Sequence, residues 1–110
     1  MSVEIVDDAY LVANEKGVVV DVTDAGCRLF GRPRDEIIGL RLAPHSPPEI
    51  LVSVGRRWAE LRTTGMIGGS NEIERPDGSH ETVDYVAQFD LPVSGWALVR
   101  LRPTMAAGPG

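Results

Sequence analysis

The stretch Ala9–Gly39, AYLVANEKGVVVDVTDAGCRLFGRPRDEIIG, decides the fold. Tyr10 to Ala13 is an apolar, partly β-branched run. Asn14-Glu15-Lys16-Gly17 reads as a turn, with Gly17 supplying the positive φ that a tight hairpin needs. Val18 to Val22 has strong β propensity and predicts a second strand. Thr23 or Asp24 then caps a short helix, because a side-chain oxygen there accepts a free backbone N–H of the first turn. That helix carries Cys27, Leu29 and Phe30 and stops at Gly31. Pro33 opens another short helix, with Asp35 and Glu36 in its first turn, and Gly39 closes it after Ile37 and Ile38.

Working outward, Ser2 to Asp8 offers only Val3, Ile5 and Val6 as apolar residues, a lead-in or short cap. Arg41 to Pro48 is irregular. Ser46-Pro47-Pro48-Glu49 has the spacing of a capping box. It opens what reads as the longest helix, Pro47 to Thr63, with Ile50, Leu51, Val54, Trp58 and Leu61 on one stripe. Glu49, Ser53, Arg56, Arg57 and Glu60 are expected to face solvent, and Thr63-Thr64-Gly65 ends the helix. Three strands follow. Gly68–Glu74 leads through the turn Arg75-Pro76-Asp77-Gly78 into Ser79–Leu91. The latter alternates, with Val83, Tyr85, Ala87, Phe89 and Leu91 on one face. Pro92-Val93-Ser94-Gly95 turns the chain into Trp96–Leu101. Two strands, then helices, then three strands predict an α+β fold with one antiparallel sheet and helices packed on one face.

The order of these pieces resembles a PAS domain, a sensory module of signalling proteins. The resemblance lies in Gly17-Val18-Val19-Val20-Asp21-Val22-Thr23, then Leu29-Phe30-Gly31, then Arg34-Asp35-Glu36-Ile37-Ile38-Gly39. It continues through the R-P-D-G-S turn and the closing strand W-A-L-V-R-L-R, and so covers most of the chain. Thr23 stands where the family usually has asparagine. Arg102 stands where it has an aspartate that starts a connecting helix, and Pro103 disfavours a helix through Arg102. The resemblance implies a five-stranded sheet of order 2-1-5-4-3, with Ala9–Asn14 beside Trp96–Leu101. It also implies a ligand site between the sheet and the long helix. The expected division is a lead-in over 1–8, the domain over 9–102 and a flexible tail over 103–110.

At 110 residues the chain holds one domain. Its net charge of −5 argues against sequence-independent phosphate binding, so no nucleic acid is expected. Ten of the eleven basic residues are arginines, and the weak clusters Arg32/Arg34 and Arg56/Arg57 read as solvated surface. One cysteine excludes an internal disulfide and a multi-cysteine metal site. No apolar run approaches a membrane span, and the N-terminus lacks a signal-peptide core, so a cytoplasmic location without a membrane is expected.

The acid–base candidates Asp21, Asp84, Asp90, His45, His80 and Tyr85 form no catalytic spacing, and the chain reads as non-enzymatic. Gly26-Cys27-Arg28-Leu29-Phe30-Gly31 resembles the cysteine box of light-oxygen-voltage flavin sensors. In that family, however, the box follows the glycine equivalent to Gly39. Cys27 therefore reads as a small buried residue, and no flavin is expected. Haem-binding relatives place a histidine on the long helix, where Val54 stands here, so no haem is expected either. The cavity candidates are Leu29, Leu51, Val54 and Trp58 from the helices, with Tyr85, Phe89 and Leu98 opposite. Trp96 is a further sheet candidate. These residues read first as a filled core, and a modest pocket for a small or fatty apolar ligand is the other reading, with its cofactor open. The leading functional expectation is a sensory module that passes a change through its sheet. The alternative is a ligand-free interaction and dimerisation domain. A homodimer is expected in either case, with Val3, Ile5, Val6, Val18, Val20 and Val86 as its apolar surface.

Overall fold

The computed structural model describes residues 8–42 and 52–103. Five strands and four short helices run in the order β1 (Ala9–Ala13), β2 (Val19–Val22), α1 (Asp24–Phe30), α2 (Arg34–Ile37), α3 (Val52–Arg56), α4 (Trp58–Thr64), β3 (Met66–Glu74), β4 (His80–Phe89) and β5 (Ala97–Pro103). The strands form one antiparallel sheet of order β2-β1-β5-β4-β3. β1 and β5 pair from Ala9↔Leu101 to Ala13↔Ala97, which puts the two ends of the domain side by side at the sheet centre.

Local chemistry explains the first half. Asn14 Oδ1 accepts from the N–H groups of Lys16 and Val18, and Gly17, at φ 74°, completes the turn between β1 and β2. Thr23 is the N-cap of α1, its Oγ1 accepting from Gly26 N at 3.2 Å. The same oxygen accepts from Tyr10 N at 3.0 Å and so ties the helix start to β1. Thr23→Ala removes both bonds, and we expect it to lower stability by about 1 kcal/mol, read as a lower urea midpoint at unchanged slope. Gly31, at φ 67°, ends α1 with its N–H on Arg28 O, a left-handed geometry that costs a side-chain-bearing residue more than glycine.

One face of the sheet meets the helices. Ala9, Leu11 and Ala13 of β1 are buried there, as are Ala97, Val99 and Leu101 of β5. Val83, Tyr85 and Ala87 of β4 and Ile67 and Ile73 of β3 complete the sheet side of the core. Leu29, Phe30, Ile37, Leu42, Val54 and Leu61 pack against them. Removing this apolar surface from water is the main favourable contribution to folding. Three arginines add polar ties between helices and sheet. Arg34 donates to Val22 O at 2.8 Å and pairs with Asp21, fastening α2 to β2. Arg75 donates to Leu29 O at 2.8 Å and pairs with Glu81, fastening the β3–β4 turn to the end of α1. Arg57 is the third and belongs to the site below.

Both edges of the sheet are partly covered. Residues 39–42 run beside β2, with Val19 N on Leu40 O at 2.9 Å and Gly39 N on Val19 O at 2.8 Å. On β3, the carbonyls of Met66, Gly68 and Glu72 accept from Thr64 Oγ1, Arg57 Nη1 and Asn71 Nδ2. Occupied edge carbonyls make poor templates for another strand.

Four expectations need correction. The helix expected over Pro47–Thr63 is, within the described residues, two pieces that break at Arg57, where φ is −104° and ψ 19°. The capping box at Ser46 lies outside the described residues. β5 starts one residue later than expected, and its buried residues are Ala97, Val99 and Leu101, which puts Leu98 on the opposite face. Trp96 precedes that strand and donates from Nε1 to Glu15 Oε1 at 3.1 Å, away from the helix-covered face. Val20 does not share the open face with Val86. The β1–β2 register shifts beside it, and it lines a shallow recess with Arg34, Asp35 and Ile38 of the α2 region.

Candidate functional site

β3 and β4 pair residue for residue from Met66↔Gln88 to Glu74↔His80, and this register sets Gly69 opposite Tyr85. Both lie on the helix-covered face, because alternate residues of a strand share a face. Tyr85 is 2% exposed and is the largest fully buried side chain among the described residues. Gly69 has no side chain, and the space its side chain would fill is taken. A Cβ at Gly69 would stand 3.0 Å from Tyr85 Oη and 3.2 Å from Arg57 Nη1. The glycine is thus the gap through which a buried hydroxyl and a guanidinium meet.

Arg57 reaches that gap from the break between α3 and α4. Its Nη1 donates to Gly68 O at 2.7 Å and to Tyr85 Oη at 3.2 Å. Its Nε and Nη2 donate to Glu60 Oε1 and Oε2 at 2.9 and 3.0 Å, a two-pronged pairing that the planar guanidinium suits and an ammonium does not. The side chain is one-third exposed, so its stem is covered while one edge meets water. The expectation that Arg57 faces solvent beside Arg56 is corrected accordingly. Residues near a helix break are free to turn a side chain inward, and Gly69 supplies the room.

These contacts shift the titration of both partners. Hydrogen bonding to Glu60 first, and to Tyr85 second, holds the Arg57 guanidinium protonated well above its ordinary range. The same bond from Arg57 holds the Glu60 carboxyl below the ordinary glutamate value. A carboxyl with a depressed pKa stabilises the fold above its unfolded value and loses that contribution as pH falls through the folded value. Glu60→Gln is therefore expected to flatten the acid side of the stability–pH curve below about pH 4.5, followed by thermal unfolding at stepped pH. An unchanged acid limb would show that Arg57 and Glu60 do not pair in solution.

The core on the helix side of β3 and β4 is apolar. Val54 of α3 is fully buried, and Trp58 of α4 and Phe89 of β4 are partly buried against the core. α3 and α4 pack on β3, and α4 also on β4. Asn71, 9% exposed, is the next inward residue of β3 after Gly69, and its Nδ2 donates to Glu72 O at 2.8 Å. No buried side-chain nitrogen or oxygen among the described residues lacks a hydrogen-bond partner. A polar group brought here would have to exchange partners with groups that are already hydrogen-bonded.

The sequence candidates divide as follows. Val54 and Tyr85 belong to the buried core, and Trp58 and Phe89 pack against it. Leu29 is buried toward the far end of β4, where its carbonyl meets Arg75. Leu51 and His45 lie outside the described residues. Leu98 is excluded by its face. Cys27 is half-buried on α1 against the core. Asp21, Asp84, Asp90 and His80 are exposed, and His80 lies between Glu72 and Glu74 at 3.6 and 3.9 Å. Arg57, Gly69 and Asn71 were not singled out from sequence. The Gly68-Gly69 pair inside a strand was the available signal, since glycine there marks a close approach.

An antiparallel sheet of order β2-β1-β5-β4-β3 with helices on one face is the arrangement of the PAS fold. Solved structures bear this out. A PAS domain from a two-component sensor histidine kinase superposes with a TM-score of 0.69 at 17% identity, covering 88% of this chain and 85% of that one. The PAS domain of a protein from Colwellia psychrerythraea gives 0.71 at 18% identity, covering 93% and 90%. The PAS domain of an HTR-like protein from Haloarcula marismortui gives 0.70 at 19%, covering 88% and 86%. The sequence matches the family described as PAS fold over residues 3–50. No curated protein matches the chain. The chain has the PAS fold.

Proposed function

We propose that this domain is the sensory module of a signalling protein and that it holds a small, largely apolar ligand between α3–α4 and β3–β4. The observation that carries the reading is the Arg57–Tyr85 contact over Gly69. A few convergent polar groups in an apolar layer are what a small-molecule site needs for orientation and selectivity. The apolar parts of the ligand would lie against Val54, Trp58 and Phe89, and its polar end would compete for Tyr85 Oη or Arg57. The domain then acts by binding, not by catalysis.

Signal transfer follows from the connections. Arg57 joins the α3–α4 break to Tyr85, and Tyr85 pairs with Leu101 of β5, two residues before the strand ends. A ligand that prefers Arg57 displaced from Tyr85 would shift the population toward a different seating of the helices on the sheet. The size of the response is limited by the ligand's preference for that arrangement.

Native mass spectrometry of the purified chain, against its denatured mass, tests the reading. The expected result is added mass lost on denaturation. A bare chain, with no added mass after incubation with a fatty-acid and small-ligand panel, would overturn it. A second reading, ligand-free dimerisation, is favoured by the half-buried Val12, Val86 and Leu98 on the open face of the sheet. Sedimentation velocity across a concentration series decides it, because a homodimer through that face would dissociate on dilution.

A further inference from the structure

The face of the sheet turned away from the helices has a feature that ligand sensing does not use. Tyr10 of β1, Val86 and Gln88 of β4, and Leu98 and Arg100 of β5 line an open recess of about 300 Å³. Arg100 sits at its centre, because β5 lies between β1 and β4 and Arg100 pairs with Tyr10 on one side and Val86 on the other. The Arg100 residue is half-buried. No hydrogen bond or ion pair joins it to any described residue, although Arg34, Arg57, Arg75 and Arg102 each have a carboxylate within 4 Å. A partly desolvated cation among apolar side chains gains most from a carboxylate brought to it.

We propose that this recess docks an acidic protein segment, a carboxylate flanked by apolar side chains, supplied by a partner chain. The inference rests on the reading that the domain signals through its sheet. The carboxylate pairs with Arg100 while its apolar neighbours cover Val86, Leu98 and the Tyr10 ring. Arginine and tyrosine are the residue types that most often dominate interface energies, and here both stand in one recess. Charge favours a protein segment over nucleic acid. The chain carries −5 overall, and Asp84 and Asp8 lie on the same side of the sheet, where they repel a run of phosphates. A single carboxylate on a mostly apolar segment meets Arg100 without that repulsion.

The test is an NMR titration of the ¹⁵N-labelled chain with a capped pentapeptide that has one central glutamate between leucines. Its glutamine counterpart is the control. Amide shifts are expected at Tyr10, Val86, Gln88, Leu98 and Arg100, with binding weakened about tenfold or more by Arg100→Gln or by the glutamine peptide. Dispersed spectra of Arg100→Gln show that it folds. Equal shifts with both peptides, or in Arg100→Gln, overturn the proposal, as does the absence of shifts at millimolar peptide. Concentration-dependent broadening at these amides without peptide would assign the face to a second copy and also overturn it. The titration reads the open face only, so a chain that carries no ligand in the mass experiment still gives a decisive result here.

Discussion

Tyr85→Ala is expected to cost about 3–5 kcal/mol of folding stability, whereas Tyr85→Phe costs about 1 kcal/mol. The ring is buried against the centre of the core, and alanine leaves a cavity that a paired strand in mid-sheet cannot close. Phenylalanine keeps the ring and deletes only the oxygen that accepts from Arg57 at 3.2 Å. A domain of this size has a total stability of about 5–15 kcal/mol, so the alanine variant stands near the limit of folding. Urea unfolding of the pair separates ring from hydroxyl. A neutral phenylalanine variant would mean that the Arg57 contact adds nothing to stability. If Tyr85 transmits a ligand's effect to β5, Tyr85→Phe should fold and still lose that transmission. Hydrogen exchange across residues 97–103, with and without ligand, would read this.

The second large effect belongs to Gly69. Gly69→Val is expected to destabilise by about 1–3 kcal/mol and to separate Arg57 from Tyr85. The sign is informative because local propensity points the other way. Valine is favoured over glycine in a strand, so a substitution read by local preference alone would stabilise. Here the added Cβ alone would lie 3.0 Å from Tyr85 Oη and 3.2 Å from its Cζ, and a branched side chain needs more room still. The penalty should shrink when Tyr85 is already phenylalanine. That non-additivity, from a four-member double-mutant cycle, is the signature of a shared contact. Additive effects would show that Gly69 and the Tyr85 hydroxyl act independently. The same valine would fill the polar end of the proposed pocket, so ligand mass should fall in Gly69→Val.

Most of the fold is legible in the sequence because its signals are local. The Asn14–Gly17 turn, the Thr23 cap, the stops at Gly31 and Gly65, and the turn at Arg75–Gly78 each depend on residues within a few positions of one another. The alternation in Ser79–Leu91 places Val83, Tyr85 and Ala87 together because strand side chains repeat every two residues. Leu91 falls beyond the end of β4 and is exposed, which periodicity by itself does not reveal.

The site is less legible. Alternation in β5 separates Leu98 from Ala97 and Val99 but does not say which set meets the helices, and a register error of one residue exchanges the two faces. Only the pairing Ala13↔Ala97 through Ala9↔Leu101 settles which face that is. Arg57 shows the same limit for a helix. On a continuous helix it belongs to the polar side with Arg56 and Glu60. The break at Arg57 and the absence of a side chain at Gly69, twelve residues on, turn it toward Tyr85, twenty-eight residues on.

The existence of five strands, their turns and the Thr23 cap can thus be read from the chain, and its resemblance implies the strand order. These follow from backbone preferences and short-range hydrogen bonds. The tertiary structure alone decided which face of β5 meets the helices, that Arg57 reaches a buried hydroxyl, and that Arg100 stands in an open recess with no carboxylate among the described residues. Each of these depends on strands distant in sequence being set in register. That register is fixed by the burial of the whole sheet, not by any one segment of it.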